Sequence, residues 1–294
     1  MRNKIFQSIA KAYPTHRIDR SRLLSAIWRA LFYLLRPTQP FAMRTRHYHL
    51  MAAPTRDNLT RAIIRRGHWE PLETKVFIGL LKPGAMVVDA GANFGHYALT
   101  AANVVGSNGQ VIAFEPHPKT YGLLVANAAL LSTDNLRAIQ AGLSDTSGKI
   151  TLYSDSANPG GHSFFEWNLR RSDGHKETVP VYSLDDFLKK ELPGKRLDVL
   201  KMDVQGFEMN LLNGAKETIT KDKPSVLCEV TPDALQRAGS SHSELLKFFK
   251  DLKYQMTVVD SEAERLVPTS FEALVTALTN TDAEYFDILF QAKS

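Results

Sequence analysis

The chain has 294 residues, 44% of them hydrophobic and 23% charged, the make-up of a globular protein, which excludes a disordered chain or one filled with membrane spans. Cys228 is the only cysteine, so an intrachain disulfide is ruled out and a reducing, cytoplasmic setting fits best. The net charge of +5 is unevenly held: residues 1–75 carry 15 basic against 4 acidic side chains, and the remainder carries 21 against 27.

Residues 1–70 read as a basic, helix-leaning extension broken by Pro14, Pro37, Pro40 and Pro54. Met1 to His16 lacks the uninterrupted apolar stretch of a secretory signal. Leu23 to Leu35 is too short to span a bilayer and contains Arg29. It has the pattern of an amphipathic helix with Trp28, Phe32 and Tyr33, flanked by Arg20, Arg22 and Arg36, so residues 20–36 are open to peripheral contact with an anionic membrane as well as to packing on their own domain. Arg56 to Arg66 and Glu73 to Leu81 are predicted helices, the second ending before Lys82-Pro83-Gly84.

From residue 71 onward the pattern is one of alternating strands and helices, which builds a mostly parallel sheet. Met86 to Ala90 is a short apolar strand, Gly91-Ala92-Asn93-Phe94-Gly95 a turn, His96 to Val105 a helix and Gln110 to Phe114 a second strand ending at Glu115. A helix over Lys119 to Leu131 and a strand over Leu136 to Ala141 follow, then the turn Gly142-Leu143-Ser144-Asp145 and a short strand from Lys149 to Tyr153. Residues 154–178 read as one polar loop, with His162 near its centre, and loops of that length in compact domains are functional or mobile. Val179 to Tyr182 is extended and Ser183 caps a helix through Lys190. Leu197 to Met202 is an apolar strand interrupted by Lys201, ending in Asp203-Val204-Gln205-Gly206, and Ser225 to Val230 is a strand containing Glu229. A helix at Ser243 to Leu252, a strand at Tyr254 to Val259, a variable stretch and a strand at Tyr285 to Phe290 complete seven main strands, the last two able to pair antiparallel.

A strand, a glycine turn and an acid about twenty residues further on make a seat for a ribose-bearing ligand. The turn here is Gly-x-x-x-Gly, without the Gly-x-Gly-x-x-Gly that brings a pyrophosphate onto a helix amino terminus. Asp89 immediately before it would repel phosphate and suits the cationic end of a methionine moiety. Both features favour S-adenosylmethionine over a dinucleotide.

Three segments, Val88-Asp89-Ala90-Gly91-Ala92-Asn93-Phe94-Gly95-His96-Tyr97, Ala113-Phe114-Glu115-Pro116-His117-Pro118 with Asn127, and Leu200-Lys201-Met202-Asp203-Val204-Gln205-Gly206-Phe207-Glu208, resemble the signatures of FkbM-type methyltransferases. The resemblance runs from about Thr74 to Val230. It implies a class I methyltransferase (Rossmann-like) fold with a seven-stranded, mostly parallel sheet whose last strand is antiparallel, occupying residues 71–294. It also implies S-adenosylmethionine as cofactor and O-methylation of a sugar, glycolipid or other hydroxylated small molecule. By the same resemblance Asp89, Gly91, Asn93 and Gly95 hold the methionine end, Glu115 the ribose and Asp145 the adenine amino group. Gln205 departs from the family, which usually has Glu at that place.

A base that removes the acceptor proton adds roughly 10²- to 10⁴-fold to such a transfer. Asp203, after the fourth main strand, is the first candidate, with His162 and Glu229 as alternatives. Asp203 and Glu229 alone supply too few oxygen ligands to argue for a metal. Two other readings stand beside this one. A nucleic-acid methyltransferase would use the basic extension, although Asn/Asp-Pro-Pro-Tyr, the mark of base amino-group methylation, is absent after Met202. A binding protein that keeps the cofactor without catalysis would account for Gln205.

Overall fold

The computed structural model describes residues 68–131, 134–155, 162–166, 172–281 and 283–292, together with scattered positions between 26 and 63. Of the predicted helix at Leu23 to Leu35, residues 26, 27, 30, 31 and 34 are helical and the others, Trp28, Phe32 and Tyr33 included, lie outside the described residues. Two short strands, β1 (Phe41–Met43) and β2 (Met51–Ala53), pair antiparallel inside the segment read as helix-leaning.

The α/β core begins with helix α1 (Pro71–Leu80), whose Pro71 occupies the first turn, where a missing N–H costs nothing. Then come β3 (Met86–Ala90), α2 (His96–Val105), β4 (Gln110–Phe114), α3 (Pro118–Ala128) and β5 (Leu136–Ile139). A side sheet follows, made of β6 (Gly142–Leu143), β7 (Gly148–Asp155) and β8 (Ser172–Tyr182). Next are α4 (Leu184–Glu191), β9 (Val199–Met202), α5 (Glu208–Gly214), α6 (Lys216–Asp222) and β10 (Ser225–Val230). The chain ends with α7 (Pro232–Arg237), α8 (His242–Asp251), β11 (Tyr254–Asp260), β12 (Arg265–Thr269), α9 (Phe271–Thr279) and β13 (Phe286–Ala292).

The main sheet has the order β12-β11-β13-β10-β9-β3-β4-β5. Strands β10, β9, β3, β4 and β5 run parallel, while β13 inserts antiparallel between β10 and β11. This is the class I methyltransferase arrangement expected, with one addition. The sheet has eight strands instead of seven, because the stretch read as variable contains β12, an antiparallel edge strand, and helix α9. Pro268 within β12 is tolerated because an edge strand needs only one side of its ladder.

The second correction concerns residues 154–178, read as loop. Strand β7 pairs antiparallel with β8 as far as Asp155 opposite Ser172, so much of that segment is a paired ribbon. Thr178, Glu177 and Lys176 are polar yet paired, since a two-stranded ribbon exposed to water needs backbone partners and no apolar face.

Alternate residues of each strand point to opposite faces. On one face Val88, Leu200, Cys228, Ile288 and Phe290 pack with Leu188, Leu211, Ile219, Leu245 and Phe249 of the covering helices. On the other, Val87, Val199, Leu227 and Leu289 pack with Phe77, Tyr97, Ala98 and Leu124 of α1, α2 and α3. Each fully buried Leu or Phe contributes about 1.5–3 kcal/mol by leaving water. Among the described residues no helix is long and apolar enough to cross a membrane.

Candidate active site

The crevice at the carboxyl ends of β3, β4 and β9 spans about 620 Å³, open solvent at its mouth included. Its floor is a contact between two turns. Gly91 has φ +80°, and a Cβ added there would stand 1.9 Å from the carbonyl oxygen of Asp203. Only glycine lets the β3 turn approach the β9 end this closely. The Asp203 N–H also donates to the Ala90 carbonyl at 3.0 Å, so backbone contacts fix both turns.

Glu115, at the end of β4, is buried and accepts from the Asn93 N–H at 2.9 Å through Oε2 and from the His117 N–H at 2.8 Å through Oε1. Its carboxyl thereby bolts the glycine turn to the segment leading into α3, and each oxygen keeps a lone pair for a ligand. Burial pushes its pKa up to about 7, while the two backbone N–H groups oppose that shift. Asn93 has φ 53°, and its side-chain oxygen accepts from the Phe94 N–H at 2.8 Å. His117 caps α3: its Nδ1 lies 3.4 Å from the Thr120 N–H and 3.0 Å from the Thr120 Oγ1. Burial, then the neighbouring His162, lowers the His117 pKa to about 4.

The sequence-predicted residues divide by position. Gly91, Asn93, Glu115, Asp203 and His162 all line the crevice. Asp89 does not. It lies beneath the turn, 2% exposed, with the Ala98 N–H as a donor and with Oδ2 unpartnered. Burial, then Asp203 against the opposing pull of Lys201, moves its pKa up to about 7. Gly95, with φ +105°, starts α2, and its missing Cβ leaves room for Leu124 and Leu99, so it serves packing between α2 and α3. Asp145 is exposed and accepts from Ser144 Oγ at 2.9 Å, outside the crevice lining formed nearby by Gly142 and Leu143. Glu229 sits behind Asp203 and reaches the crevice through Gln205.

Several contacts of this neighbourhood are not legible in the sequence. Gln205, with φ 53°, donates from Nε2 to Asp203 Oδ1 at 2.8 Å and to Glu229 Oε1 at 3.3 Å. Lys201 is 1% exposed, and its ammonium lies 5.1 Å from the centre of the Tyr97 ring. Asp203, Asp287, Glu70 and Glu229 raise its pKa against the opposing effect of burial. Its signal in sequence is the single cation in an apolar strand. The roof comes from the far end of the β7–β8 ribbon. His162 stacks on His117 with ring centres 3.6 Å apart, and Phe164 and Phe165 pack on Phe207 at 4.8 and 5.7 Å. Nothing local to either histidine announces that stack.

The donor set fits S-adenosylmethionine. The glycine cradle would be filled by a Cβ, Glu115 presents buried acceptors to the crevice, and carboxyls outnumber cations around it. Among the described residues no cluster of three or more His, Cys, Asp or Glu has metal-binding geometry.

Comparisons with known proteins agree. Methyltransferase sdnD of Sordaria araneosa is 31% identical over 168 residues, covering 48% of this chain and 64% of its own. The 2-O-methyltransferase NoeI of Sinorhizobium fredii is 28% identical over 159 residues, covering 49% and 63%. The chain thus spans less than two thirds of the length of these curated relatives. The solved methyltransferase FkbM of Methylobacillus flagellatus superposes with a TM-score of 0.42 at 12% identity, covering 90% of this chain and 60% of that one. A family model described as the methyltransferase FkbM domain matches residues 89–256, more than half of the sequence, and the chain belongs to this family of S-adenosylmethionine-dependent methyltransferases.

Proposed function

We propose that residues 71–294 form the catalytic domain of an O-methyltransferase acting on a hydroxyl of a sugar, glycolipid or other hydroxylated small molecule. The observation that carries this reading is the shared crevice: Gly91 and Glu115, suited to the cofactor, and Asp203, suited to an acceptor proton, line one cavity. NoeI supports the choice of oxygen as acceptor atom.

S-adenosylmethionine supplies a methyl group on a cationic sulfur. The chain supplies alignment and a proton acceptor. Glu115 takes the ribose hydroxyls through oxygens already oriented by two backbone donors. Asn93 and the turn at Gly91 set the methionine end, Asp89 contributes negative potential from beneath, and Asp145 at the rim takes the adenine amino group. Asp203 is the base. Its Oδ1 is held by Gln205, and no described residue hydrogen-bonds its Oδ2, which receives the acceptor proton. Holding the acceptor oxygen in line accounts for much of the acceleration. His162 and the phenylalanines of the ribbon keep water from the crevice, a role that suits His162 better than that of base because its ring faces His117.

The extension contributes a surface. Ile27, Leu31 and Leu34, at helical spacing, are exposed, and the basic excess of residues 1–75 complements anionic lipid, so a cytoplasmic enzyme working against a membrane fits better than one reading nucleic acid. Incubating the protein with S-adenosylmethionine and glycan and glycolipid fractions should give a product heavier by one methylene, absent with Asp203→Asn. A folded protein that fails to bind S-adenosylhomocysteine in calorimetry would end this reading.

A further inference from the structure

We propose that Gln205 is a positioning residue for proton removal: its side-chain amide ties Asp203 and Glu229 into one acid pair that presents a single free oxygen to the acceptor hydroxyl. The role rests on the methyl-transfer reading above.

Three observations lead to it. First, Gln205 at φ 53° and Gly206 at φ 94° are consecutive left-handed residues, a conformation that costs a non-glycine residue free energy and persists where the surroundings enforce it. That turn folds the Gln205 side chain back over the end of β9. Second, the amide nitrogen has two hydrogens and meets two carboxyl oxygens, Asp203 Oδ1 at 2.8 Å and Glu229 Oε1 at 3.3 Å, so its donor capacity is used in full. Third, the same residue reaches the roof: Ser163 Oγ donates to the Gln205 carbonyl at 3.5 Å. One residue therefore touches both acids and the lid of the crevice.

The charges around the pair explain why an amide suits this place. Lys201 comes from β9, Asp203 from the turn after it, Glu229 from β10, Asp287 from β13 and Glu70 from the segment before α1. Burial, then Asp203 and Asp287, pushes the Glu229 carboxyl well above the usual range, with Lys201 opposing. Glu229 therefore resists ionisation beside Asp203. The amide donates at its shorter distance to Asp203. On proton transfer the acceptor O–H bond breaks and Asp203 Oδ2 gains the proton, while Oδ1 stays bonded to Gln205.

The test uses the full chain, with carboxyl carbons of Asp and Glu carrying ¹³C. NMR titration, assigned with Asp203→Asn and Glu229→Gln, follows both acids in the wild type, Gln205→Met and Gln205→Glu. Calorimetry with S-adenosylhomocysteine runs beside it. Loss of the amide donors should move both titrations upward by about one pH unit in Gln205→Met, and further in Gln205→Glu, because an anion loses its donor and then gains a like charge. S-adenosylhomocysteine affinity should stay within about twofold of wild type, a change worth less than half of the 1.4 kcal/mol that a tenfold shift represents. Unchanged midpoints in two variants that bind normally would overturn the role of Gln205 and leave methyl transfer standing. A wild type that does not bind S-adenosylhomocysteine would overturn both.

Discussion

The two faces of the main sheet are built on the same strands and differ only in the alternate residues. On one face the run Val88, Ala90, Leu200, Met202, Cys228, Val230 and Ile288 is apolar to the ends of the strands. On the other, Val87, Val199, Leu227 and Leu289 give way near the crevice to Asp89, Lys201, Glu229 and Asp287. Asp89 and Lys201 are paired in register, as are Glu229 and Asp287. One face thus supplies cohesion without interruption, whereas the other gives up apolar burial where the site needs charge. Burial raises Asp89 and Asp287 to about 7 and Glu70, hydrogen-bonded by the Tyr97 hydroxyl at 2.6 Å, to about 8. A reactive half-face is therefore a destabilising one at alkaline pH, held in place by the inert face behind it.

The seam between the turns is where this arrangement should break most completely. Gly91→Ala combines an unfavourable backbone conformation with a Cβ inside the Asp203 carbonyl, and should cost about 3 kcal/mol or more in urea unfolding while abolishing S-adenosylhomocysteine binding. Normal stability and binding would mean that the turns are not locked together.

A pair of neighbouring substitutions separates the faces. Leu200→Ala should cost about 2–5 kcal/mol at every pH, since only packing is lost. Lys201→Met removes the cation from a group of buried carboxyls and should cost a similar 3–5 kcal/mol at pH 8. That cost should shrink markedly by pH 5, because Asp89, Asp287 and Glu70 are then protonated and need no counter-charge. Parallel pH profiles for the two variants would contradict the division of roles.

Glu70→Gln sharpens the same contrast with a smaller effect. The folded pKa of Glu70 is raised, so between its ordinary value of 4.5 and about 8 the native state keeps a proton that the unfolded chain has lost. Stability from this group is full at the acid end and falls as pH rises through that window, by linkage. The amide removes the slope. Thermal melts should show the variant gaining on the wild type from pH 5 to 8 and holding a constant lead above, whereas a lead that does not change with pH would refute the assignment.

These faces were unequally legible. The apolar strands and the Gly91 turn are local patterns, and the order of strands follows from alternation with helices. The charged half-face was visible as separate oddities, an acid before a turn and a lysine in an apolar strand, but what joins Lys201 to Glu70 and Asp287 is the insertion of β13 beside β10 and the placing of α1 over the sheet. Neither is encoded near Lys201. Strand β12 escaped because Pro268 interrupts its short run Arg265-Leu266-Val267-Pro268-Thr269, which needs only an edge to pair with. The β7–β8 ribbon escaped for a similar reason, since Lys176, Glu177 and Thr178 are polar residues that pair with Tyr153, Leu152 and Thr151.

Asp145 offers the smallest effect and a clean discrimination. It lies at the rim, exposed, with Ser144 and Thr146 hydroxyls donating to the same Oδ1, which leaves Oδ2 for an exocyclic amine. A hydrogen bond made there competes with water and is worth about 1 kcal/mol, roughly fivefold in affinity. Asp145→Ala should therefore weaken S-adenosylhomocysteine about fivefold without moving the unfolding midpoint. The inosine analogue, which presents a carbonyl in place of the amine, should bind the wild type less tightly than S-adenosylhomocysteine and the variant equally well. Such a cycle isolates the pairwise contact, and discrimination that survives in the variant would place the adenine amino group elsewhere along the crevice.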